Sequence, residues 1–321
     1  MYAERRPRIV LTIVIAVLLQ GVTGIAALAE PGDGYVSVLF GRTQWVSTGF
    51  AGGKACQRLP HTVTLGRAHD DLARMGITAT GVVIVPRTPA RGFRCFGGYT
   101  LHPGWRRLRH WSHHGWRFVS GGTHGDIRYD SHREQMAETC GLLPAFRKRG
   151  LDGSGMYAYA NNRWSWDVQV DPVSRCFAWG RTYRPFVVNR RSATGRPWFQ
   201  ATHSVNGGKC NLRGLPCYFR AGDARSRYHS PIRLAAMTAA APGTWFSVQF
   251  YRFVRGTSHR SSRWTWDCRG RDWRRHYTSQ WELYCYSDFL RVMRALDRNI
   301  GSGDVVSASP ARVAREWGRS A

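Results

Sequence analysis

The chain has 321 residues, of which 43% are hydrophobic and 13% aromatic. This composition can bury a sizeable core, which excludes an intrinsically disordered protein, and the length fits one large domain or two small ones. The formal net charge of +27 favours contact with anionic polymers. The basic residues are scattered along the chain, however, so a general arginine bias of the source proteome explains the charge equally well.

The first 29 residues predict a secretory signal peptide. Three arginines among the first eight residues precede the apolar run 9–19, and Ala27-Leu28-Ala29 has the A-x-A pattern of a cleavage site. An uncleaved membrane anchor is the alternative, because 9–29 is just long enough to span a bilayer. No later apolar run approaches that length. We therefore expect a secreted protein in which residues 30–321 form a single domain.

Strand-like and helix-like segments alternate through the first half of this domain. The apolar periodicity and the turn residues predict strands at Tyr35–Phe40, Thr80–Val85, Trp116–Val119 and Gly155–Tyr159, with helices at Thr64–Met75, Gly104–Gly115 and Ser131–Arg149. The last of these helices opens with the capping box Ser131-x-x-Glu134 and stops at Gly150. Repeated strand–helix order predicts an α/β protein with parallel strands.

The second half begins with a different kind of segment. Residues 161–230 are rich in Gly, Arg, Trp and Cys with few periodic runs, and they predict an irregular insertion stapled by disulfides. Regular elements then return. We predict helices at Pro231–Ala241, Ser287–Asn299 and Pro310–Trp317, and strands at Trp245–Val254 and Asp304–Ser307. Ser309 is the expected N-cap of the last helix.

All eight cysteines lie beyond the signal segment, and an even count in an exported protein predicts disulfides. The sequence alone does not fix their connectivity. Pairing neighbours along the chain is the simplest hypothesis. It gives Cys56–Cys95, Cys140–Cys176, Cys210–Cys217 and Cys268–Cys285. A cysteine-rich zinc site would need closely spaced CxxC pairs, which the sequence lacks.

Five segments, taken in order, resemble the motifs of a known family. They are YVSVLFGRTQW (35–45), HDDLARMGITATGVVIVP (69–86), HHGWRFVSGGTHGDI (113–127), GLLPAFRKRGLDGSGMYAYANN (141–162) and DVVSASPARVAREWGR (304–319). Together they resemble the NodB-type polysaccharide deacetylases, the fourth family of carbohydrate esterases. The resemblance implies a distorted (β/α) barrel of about seven strands, with its site at the carboxyl ends of the strands.

The family resemblance also implies a catalytic site, which this chain matches poorly. In the family, one Asp and two His hold a divalent metal that activates water, a second Asp is the general base, and a late His is the general acid. Here Gly41 and Arg42 replace the Asp pair, Gly121 replaces the first His, and Gln249 or Tyr251 replaces the acid. The cation Arg42 would also oppose a metal by Coulomb repulsion.

His124 matches the second metal-binding His only if one residue is deleted. A lone His cannot hold a catalytic divalent ion, so a local turn explains His124 more simply than a metal site does. The alternative is a rebuilt zinc site in which His124 and Asp126 are the catalytic residues and His124 is the metal ligand, with a third ligand from another loop.

Three other constellations have structural alternatives. Asp70-Asp71 lies mid-helix and predicts a solvated helix face. His110, His113 and His114 have helical spacing that could hold a metal, but a polar helix face is the simpler interpretation. Aromatic and polar residues around the expected groove suit a sugar chain, because flat rings stack on sugars and amides bond hydroxyls. We predict Arg42, Gln44, Asn161, Asn162, Trp245 and Gln249 as the substrate-binding residues.

Three functional hypotheses follow. The protein is a divergent hydrolase of the carbon–nitrogen amide bonds of N-acetylated glycans, with zinc in a rebuilt site. Or it is a non-catalytic relative that binds a cell-surface or cell-wall polysaccharide, anionic in keeping with the net charge, without a cofactor. Or it is a basic surface protein that adheres to polyanions in general. In each case we expect no nucleic-acid partner, and membrane contact only through an uncleaved signal anchor.

Overall fold

The computed structural model describes residues 33–41, 62–85, 104–122, 127–159, 163–183, 187–191, 199–204, 230–256, 259–260, 265–269, 271–272, 276–278 and 283–318. The predicted signal peptide lies outside these residues. In chain order the strands are β1 (Gly34–Phe40), β2 (Thr62–Val63), β3 (Ala79–Val83), β4 (Arg117–Ser120), β5 (Tyr157–Ala158), β6 (Gly180–Tyr183), β7 (Val188–Arg190), β8 (Phe199–Ser204), β9 (Thr244–Phe250), β10 (Arg252–Val254), β11 (His259–Arg260), β12 (Thr265–Asp267), β13 (Tyr277–Thr278), β14 (Leu283–Cys285) and β15 (Val305–Ser307).

The α-helices of the described residues complete the pattern. They are α1 (Leu65–Arg74), α2 (Trp105–His113), α3 (His132–Glu138), α4 (Leu143–Arg147), α5 (Trp166–Val168), α6 (Pro231–Met237), α7 (Tyr286–Gly301) and α8 (Pro310–Glu316). The predicted N-cap Ser309 is confirmed, and Thr64, predicted as the first helical residue, is also an N-cap. Thr64 caps α1 and Ser309 caps α8 through their side-chain oxygens.

Seven parallel strands close into a barrel in the order β1–β3–β4–β5–β6–β8–β9. The closing contact is the parallel pairing of β9 with β1, from Tyr35 opposite Trp245 to Phe40 opposite Phe250. β15 extends the sheet beside the start of β1, and β7 pairs antiparallel with β9. The predicted α/β barrel of about seven strands is confirmed. Because the strands are parallel, their carboxyl ends meet at one end of the barrel.

The core of the protein lies between the barrel and its helices. Phe40 of β1 stacks on Trp116 at 5.0 Å between ring centroids, and Phe253 packs on Phe289 of α7 at 4.4 Å. These rings are almost completely buried. Burial of such large aromatic surfaces stabilises the attachment of α7 to the barrel wall.

The predicted helix Ser131–Arg149 is interrupted in the structure. The capping box at Ser131 and Glu134 forms as expected, but the helix breaks after Glu138 into a short 3-10 turn before α4 begins. Pro144 lies at the start of α4, and a proline in that place has no N–H for an uninterrupted helix. The proline therefore outweighs the otherwise helical pattern.

The prediction of an irregular insertion at 161–230 needs correction. Within these bounds the structure has the three strands β6, β7 and β8, and β6 and β8 belong to the closed barrel. These strands are four, three and six residues long. Such short strands, broken by Gly, Pro and Arg, give too little periodicity to be recognised from sequence.

Two of the predicted disulfides are confirmed. Cys140 is bonded to Cys176, and Cys268 to Cys285. The first joins the break in the helical segment to the turn after the π-helix Gln169–Val173. The other four cysteines, Cys56, Cys95, Cys210 and Cys217, lie outside the described residues, so their pairing stays a prediction.

Among the helices of the described residues, none combines the length and the apolar character that crossing a bilayer requires.

Candidate ligand site at the carboxyl end of the barrel

The two ends of the barrel interior have different chemistry. At the amino-terminal end, Trp179 and Trp245 pack at 5.1 Å between ring centroids, and Trp317 closes against both. Trp245 Nε1 donates to Ser37 Oγ at 2.9 Å, and Trp179 Nε1 donates to the carbonyl of Pro310 at 3.0 Å. This end is an aromatic plug in which the indole N–H groups of Trp179 and Trp245 are both bonded to the chain.

Polar side chains occupy the carboxyl end instead. Arg181 of β6 donates from Nη1 to Gln249 Oε1 of β9 at 2.6 Å, and from Nη2 to the carbonyl of Tyr159 at 2.9 Å. Gln249 Nε2 donates to the Tyr183 hydroxyl at 2.8 Å, and that hydroxyl bonds the Tyr251 hydroxyl. We call Arg181, Gln249, Tyr183 and Tyr251 the barrel-end network.

Arg181 is the charged member of this network. Arg181 is 4% exposed, its guanidinium lies 4.2 Å above the ring centroid of Tyr183, and its Nε–H has no hydrogen-bond partner in the described part of the chain. Among the described residues no carboxylate pairs with Arg181, and its two acceptors there are a neutral amide and a backbone carbonyl. Within this part of the chain, the barrel end therefore carries a positive charge without a counter-charge.

Backbone glycines make room for the network. A Cβ at Gly41 would clash with Gln249 Nε2 and would lie 2.5 Å from a ring carbon of Tyr251. A Cβ at Gly121 would lie 2.7 Å from Val82 Cγ1. These two glycines stand where the family resemblance places an Asp and a His. The space for those two side chains is already filled, so the residues described here do not fit the metal-binding triad that the family implies.

Two tyrosines flank the network, Tyr157 on β5 and Tyr159 directly after it. The Tyr159 hydroxyl donates to Gln169 Oε1 at 2.8 Å, and Gly122, at φ 73°, leaves room for the Tyr157 hydroxyl, which a Cβ would approach to 2.8 Å. Burial raises the pKa of both Tyr157 and Tyr159, and the Glu138 carboxylate raises that of Tyr157 further. Both phenols are therefore neutral hydrogen-bonding groups near neutral pH.

Two of the predicted substrate-binding residues are described, and both are buried. Trp245 lies in the aromatic plug at the opposite end of the barrel and is 0% exposed, which corrects its assignment as a sugar platform. Gln249 is at the expected end but is also 0% exposed, with its amide oxygen and nitrogen bonded to Arg181 and Tyr183. Gln249 is thus a positioning residue. The remaining predictions, His124, Asp126, Arg42, Gln44, Asn161 and Asn162, lie outside the described residues.

The prediction that Asp70 and Asp71 lie on a solvated helix face is confirmed for Asp70 and wrong for Asp71. The Asp70 side chain is 64% exposed as expected, but that of Asp71 is only 6% exposed and pairs with Arg67 and Arg74 of the same helix. The Asp71 carboxylate also accepts from the Tyr286 hydroxyl of α7. Burial raises the pKa of Tyr286 to about 12. Asp71 therefore joins α1 to α7 and is not part of the barrel-end network.

Histidines elsewhere do not form a metal site in the described part of the chain. His110 and His114 pack ring to ring at 4.6 Å, and His114 meets the edge of His69. One other group, His276, Cys285 and Asp288, brings three potential ligand atoms within 4.8 Å of one another. Cys285 is oxidised in the disulfide with Cys268, so it offers no thiolate. His276 Nδ1 and Asp288 Oδ2 are hydrogen-bonded at 2.7 Å.

Sequence reasoning missed Arg181 and Tyr183. Both lie on β6, inside the segment predicted to be irregular. The alternation in Trp179-Gly-Arg181-Thr-Tyr183, where every second side chain is large, was a short strand signal. Tyr251 and Gln249 were identified as replacements for the family's acid, but their contact with Arg181 depends on barrel closure, which local sequence does not encode.

No protein-family model matches the sequence, and no curated protein matches it. The structure is similar to solved ones. A putative polysaccharide deacetylase from Mycobacterium smegmatis aligns with a TM-score of 0.51 and 12% identity, over 90% of this chain and 91% of that chain. A probable polysaccharide deacetylase from Pseudomonas aeruginosa PAO1 gives 0.49 and 11%, over 89% and 91%. A family 4 carbohydrate esterase from Streptomyces lividans, in complex with acetate, gives 0.44 and 9%, over 87% and 95%.

At such low identity a structural likeness establishes the fold. The likeness to the Mycobacterium smegmatis protein extends over nine-tenths of both chains, and it agrees with the seven-stranded closure and with the order of motifs along the sequence. This chain has the fold of the polysaccharide deacetylases.

Proposed function

We propose that this protein is secreted and binds a cell-surface polysaccharide at the carboxyl end of its barrel, without the metal-dependent deacetylation for which the fold is known. The observation that carries the proposal is the barrel-end network. Arg181, Gln249, Tyr183 and Tyr251 occupy the end of the barrel where α/β barrels bind their ligands.

The chemistry of the network argues against a divalent cation. Its members are a guanidinium, an amide and two phenols, whereas divalent metals in hydrolases take imidazole and carboxylate ligands. The Arg181 charge would also repel a second cation nearby. Gln249 and Tyr251 fill the space beside Gly41, so an Asp could not be restored there without displacing them.

The same chemistry suits a sugar. Tyr183 is half-buried, and Arg181 supports its ring from one side, so the ring is held as a fixed aromatic surface. Aromatic faces stack on the apolar face of a sugar, and adjacent hydroxyl groups can bond to its oxygens. Structural similarity to a putative polysaccharide deacetylase supports a polysaccharide over other ligands.

The predicted signal peptide and the disulfides support secretion. The net charge of +27, together with Arg181, which pairs with no carboxylate of the described residues, supports an anionic polymer. An extracellular anionic polysaccharide is therefore the partner that fits the predicted compartment, the net charge and the fold together.

The test is a binding screen on residues 30–321 produced with their disulfides intact. Polysaccharides of defined charge are immobilised and the affinity is measured for the parent, Tyr183→Ala and Tyr183→Phe. We expect Tyr183→Ala to weaken binding by roughly tenfold through loss of the ring, and Tyr183→Phe to weaken it less because the ring remains. Equal affinity in all three proteins would overturn the proposed site. Release of acetate from an N-acetylated glycan, abolished by a chelator, would overturn the proposed function.

A further inference from the structure

A stripe of arginines runs along the outer face of α7. Arg291, Arg294 and Arg298 follow Ser287 at intervals of four, three and four residues, which places them on one side of a helix. With Arg271 they line a cavity of about 550 Å³. We call Arg291, Arg294 and Arg298 the arginine stripe, and all three are exposed.

The described residues do not neutralise this stripe. In the described residues, none of the arginines lining the cavity forms an ion pair. Elsewhere the chain does pair its arginines at similar spacing, as in Arg67 with Asp71 and Arg312 with Glu316. Asp297 lies three residues after Arg294, within reach along the helix, yet the two do not pair. The contact made by Arg291 Nη2 is with the backbone carbonyl of Arg271, at 3.4 Å.

Such an arrangement attracts anions for three physical reasons. Like charges three and four residues apart on a helix repel each other, and a bound anion relieves that repulsion. Ser287, which lines the same cavity, adds a hydroxyl that can donate a hydrogen bond to an anion. The planar guanidinium also binds a carboxylate through two parallel hydrogen bonds.

The spacing of the arginines along the helix favours a linear polymer over a small anion. Seven residues separate Arg291 from Arg298, which is about 10 Å along the helix axis. A small anion could satisfy one or two of these groups, whereas a chain with regularly repeated charges could satisfy the whole stripe. The stripe also begins near the barrel end, because β14 precedes α7 directly and runs parallel to β10, which follows β9.

We propose that the arginine stripe is a second binding surface, which holds a carboxylate-bearing polysaccharide as it leaves the barrel end. The choice of a polysaccharide over another polyanion rests on the proposed function. The stripe uses different residues from the barrel-end network, so each surface can be removed separately.

The test compares two triple variants that lose the same charge. The first is R291Q/R294Q/R298Q, and the matched control is R106Q/R107Q/R109Q on α2, whose three arginines are also exposed. Glutamine keeps a similar helix propensity, so both variants should fold. Affinity for oligogalacturonate is measured over a range of salt concentrations, with a neutral oligosaccharide and a single-stranded oligodeoxynucleotide as comparison ligands.

We expect the stripe variant to bind oligogalacturonate at least tenfold more weakly than the parent, with a salt slope lower by about two to three. The affinity of the control variant should stay within about threefold of that of the parent, because this variant loses only a general attraction between charges. Equal losses in the two variants would overturn the stripe as a site. Oligodeoxynucleotide binding as tight as that of oligogalacturonate, and equally dependent on the stripe, would overturn the assignment to polysaccharide.

The binding of the Tyr183→Ala variant and of the stripe variant together shows which of the two proposed surfaces fails. If Tyr183→Ala alone weakens binding, the barrel end is a site and the stripe is not. If the stripe variant alone weakens binding to oligogalacturonate, the stripe stands and the barrel-end function fails.

Discussion

The two ends of the barrel interior differ in how their buried polar groups are satisfied. At the amino-terminal end, Trp179, Trp245 and Trp317 pack together and the indole N–H groups of Trp179 and Trp245 find acceptors. At the carboxyl end, the buried guanidinium of Arg181 has, among the residues that the structure describes, no counter-charge and one N–H without a partner. Residues on or next to the same two strands, β6 and β9, contribute to both ends.

This difference separates stability from function within one sheet. Close-packed aromatic rings with satisfied polar groups contribute free energy to folding. A buried charge without a counter-charge costs free energy, and such costs concentrate at sites that bind a ligand. The aromatic end should therefore respond to mutation mainly in stability, and the polar end mainly in binding.

The largest expected effect is on the aromatic plug. Trp245→Ala should lower the free energy of unfolding by about 3–5 kcal/mol, because it removes a fully buried indole and leaves a cavity. Urea unfolding followed by circular dichroism measures this change. Trp245→Phe is the control and should lose less. A loss below about 1 kcal/mol for Trp245→Ala would mean that this end does not carry the stability assigned to it.

A smaller loss is expected from cutting one bond of the barrel-end network. Gln249→Leu removes the acceptor of Arg181 Nη1 and should cost about 1.5–3 kcal/mol, because a buried charged donor loses its partner. The double variant Arg181→Met/Gln249→Leu removes donor and acceptor together and should recover most of that loss. Additive losses in this cycle would show that the two side chains are not coupled.

The double variant also tests whether the carboxyl end can lose binding without losing stability. It should be nearly as stable as the parent yet bind polysaccharide roughly tenfold more weakly, because the charge of Arg181 and its support of the Tyr183 ring are both gone. Isothermal titration with the polysaccharide found in the screen measures the affinity. Unchanged binding by a stable double variant would assign Arg181 a purely structural role.

The smallest effect concerns alkaline pH. The pKa values of Tyr157 and Tyr159 are raised by burial, so the folded state holds these protons more tightly than the unfolded state. Their contribution is fully present below pH 10 and is lost as pH rises above it, by at most about 1.4 kcal/mol per pH unit for each tyrosine. Tyr159→Phe should remove the contribution of Tyr159 to the slope of the free energy of unfolding against pH, measured by urea unfolding at pH 9–11. A slope identical to that of the parent would contradict the raised pKa of Tyr159.

Much of the fold was predictable because its signals are local. Ser131 and Ser309 cap helices as their sequence patterns predict, and β1 and β3 are apolar runs that fully buried parallel strands require. The strands β6 and β8 escaped prediction because strands of four and six residues among loop-forming residues carry little periodicity.

The site was harder to predict because it forms across the barrel. Arg181 and Gln249 are 68 residues apart in sequence and meet through the β6–β8–β9 pairings, which no local pattern specifies. Asp71 illustrates the same limit. Its helical position predicts exposure, yet α7 covers it and Tyr286 bonds it. Trp245 was assigned to sugar binding by its residue type, whereas its position at the start of β9 places it in the plug.

The most direct test of the account is the metal content of the folded protein. Residues 30–321 are dialysed against trace zinc, cobalt and manganese, and the ions per chain are counted by mass spectrometry. A barrel end filled by Arg181, Gln249, Tyr183 and Tyr251 predicts no stoichiometric ion and polysaccharide binding that a chelator does not change. About one ion per chain, lost in His124→Ala, would contradict the account and establish a rebuilt metal site.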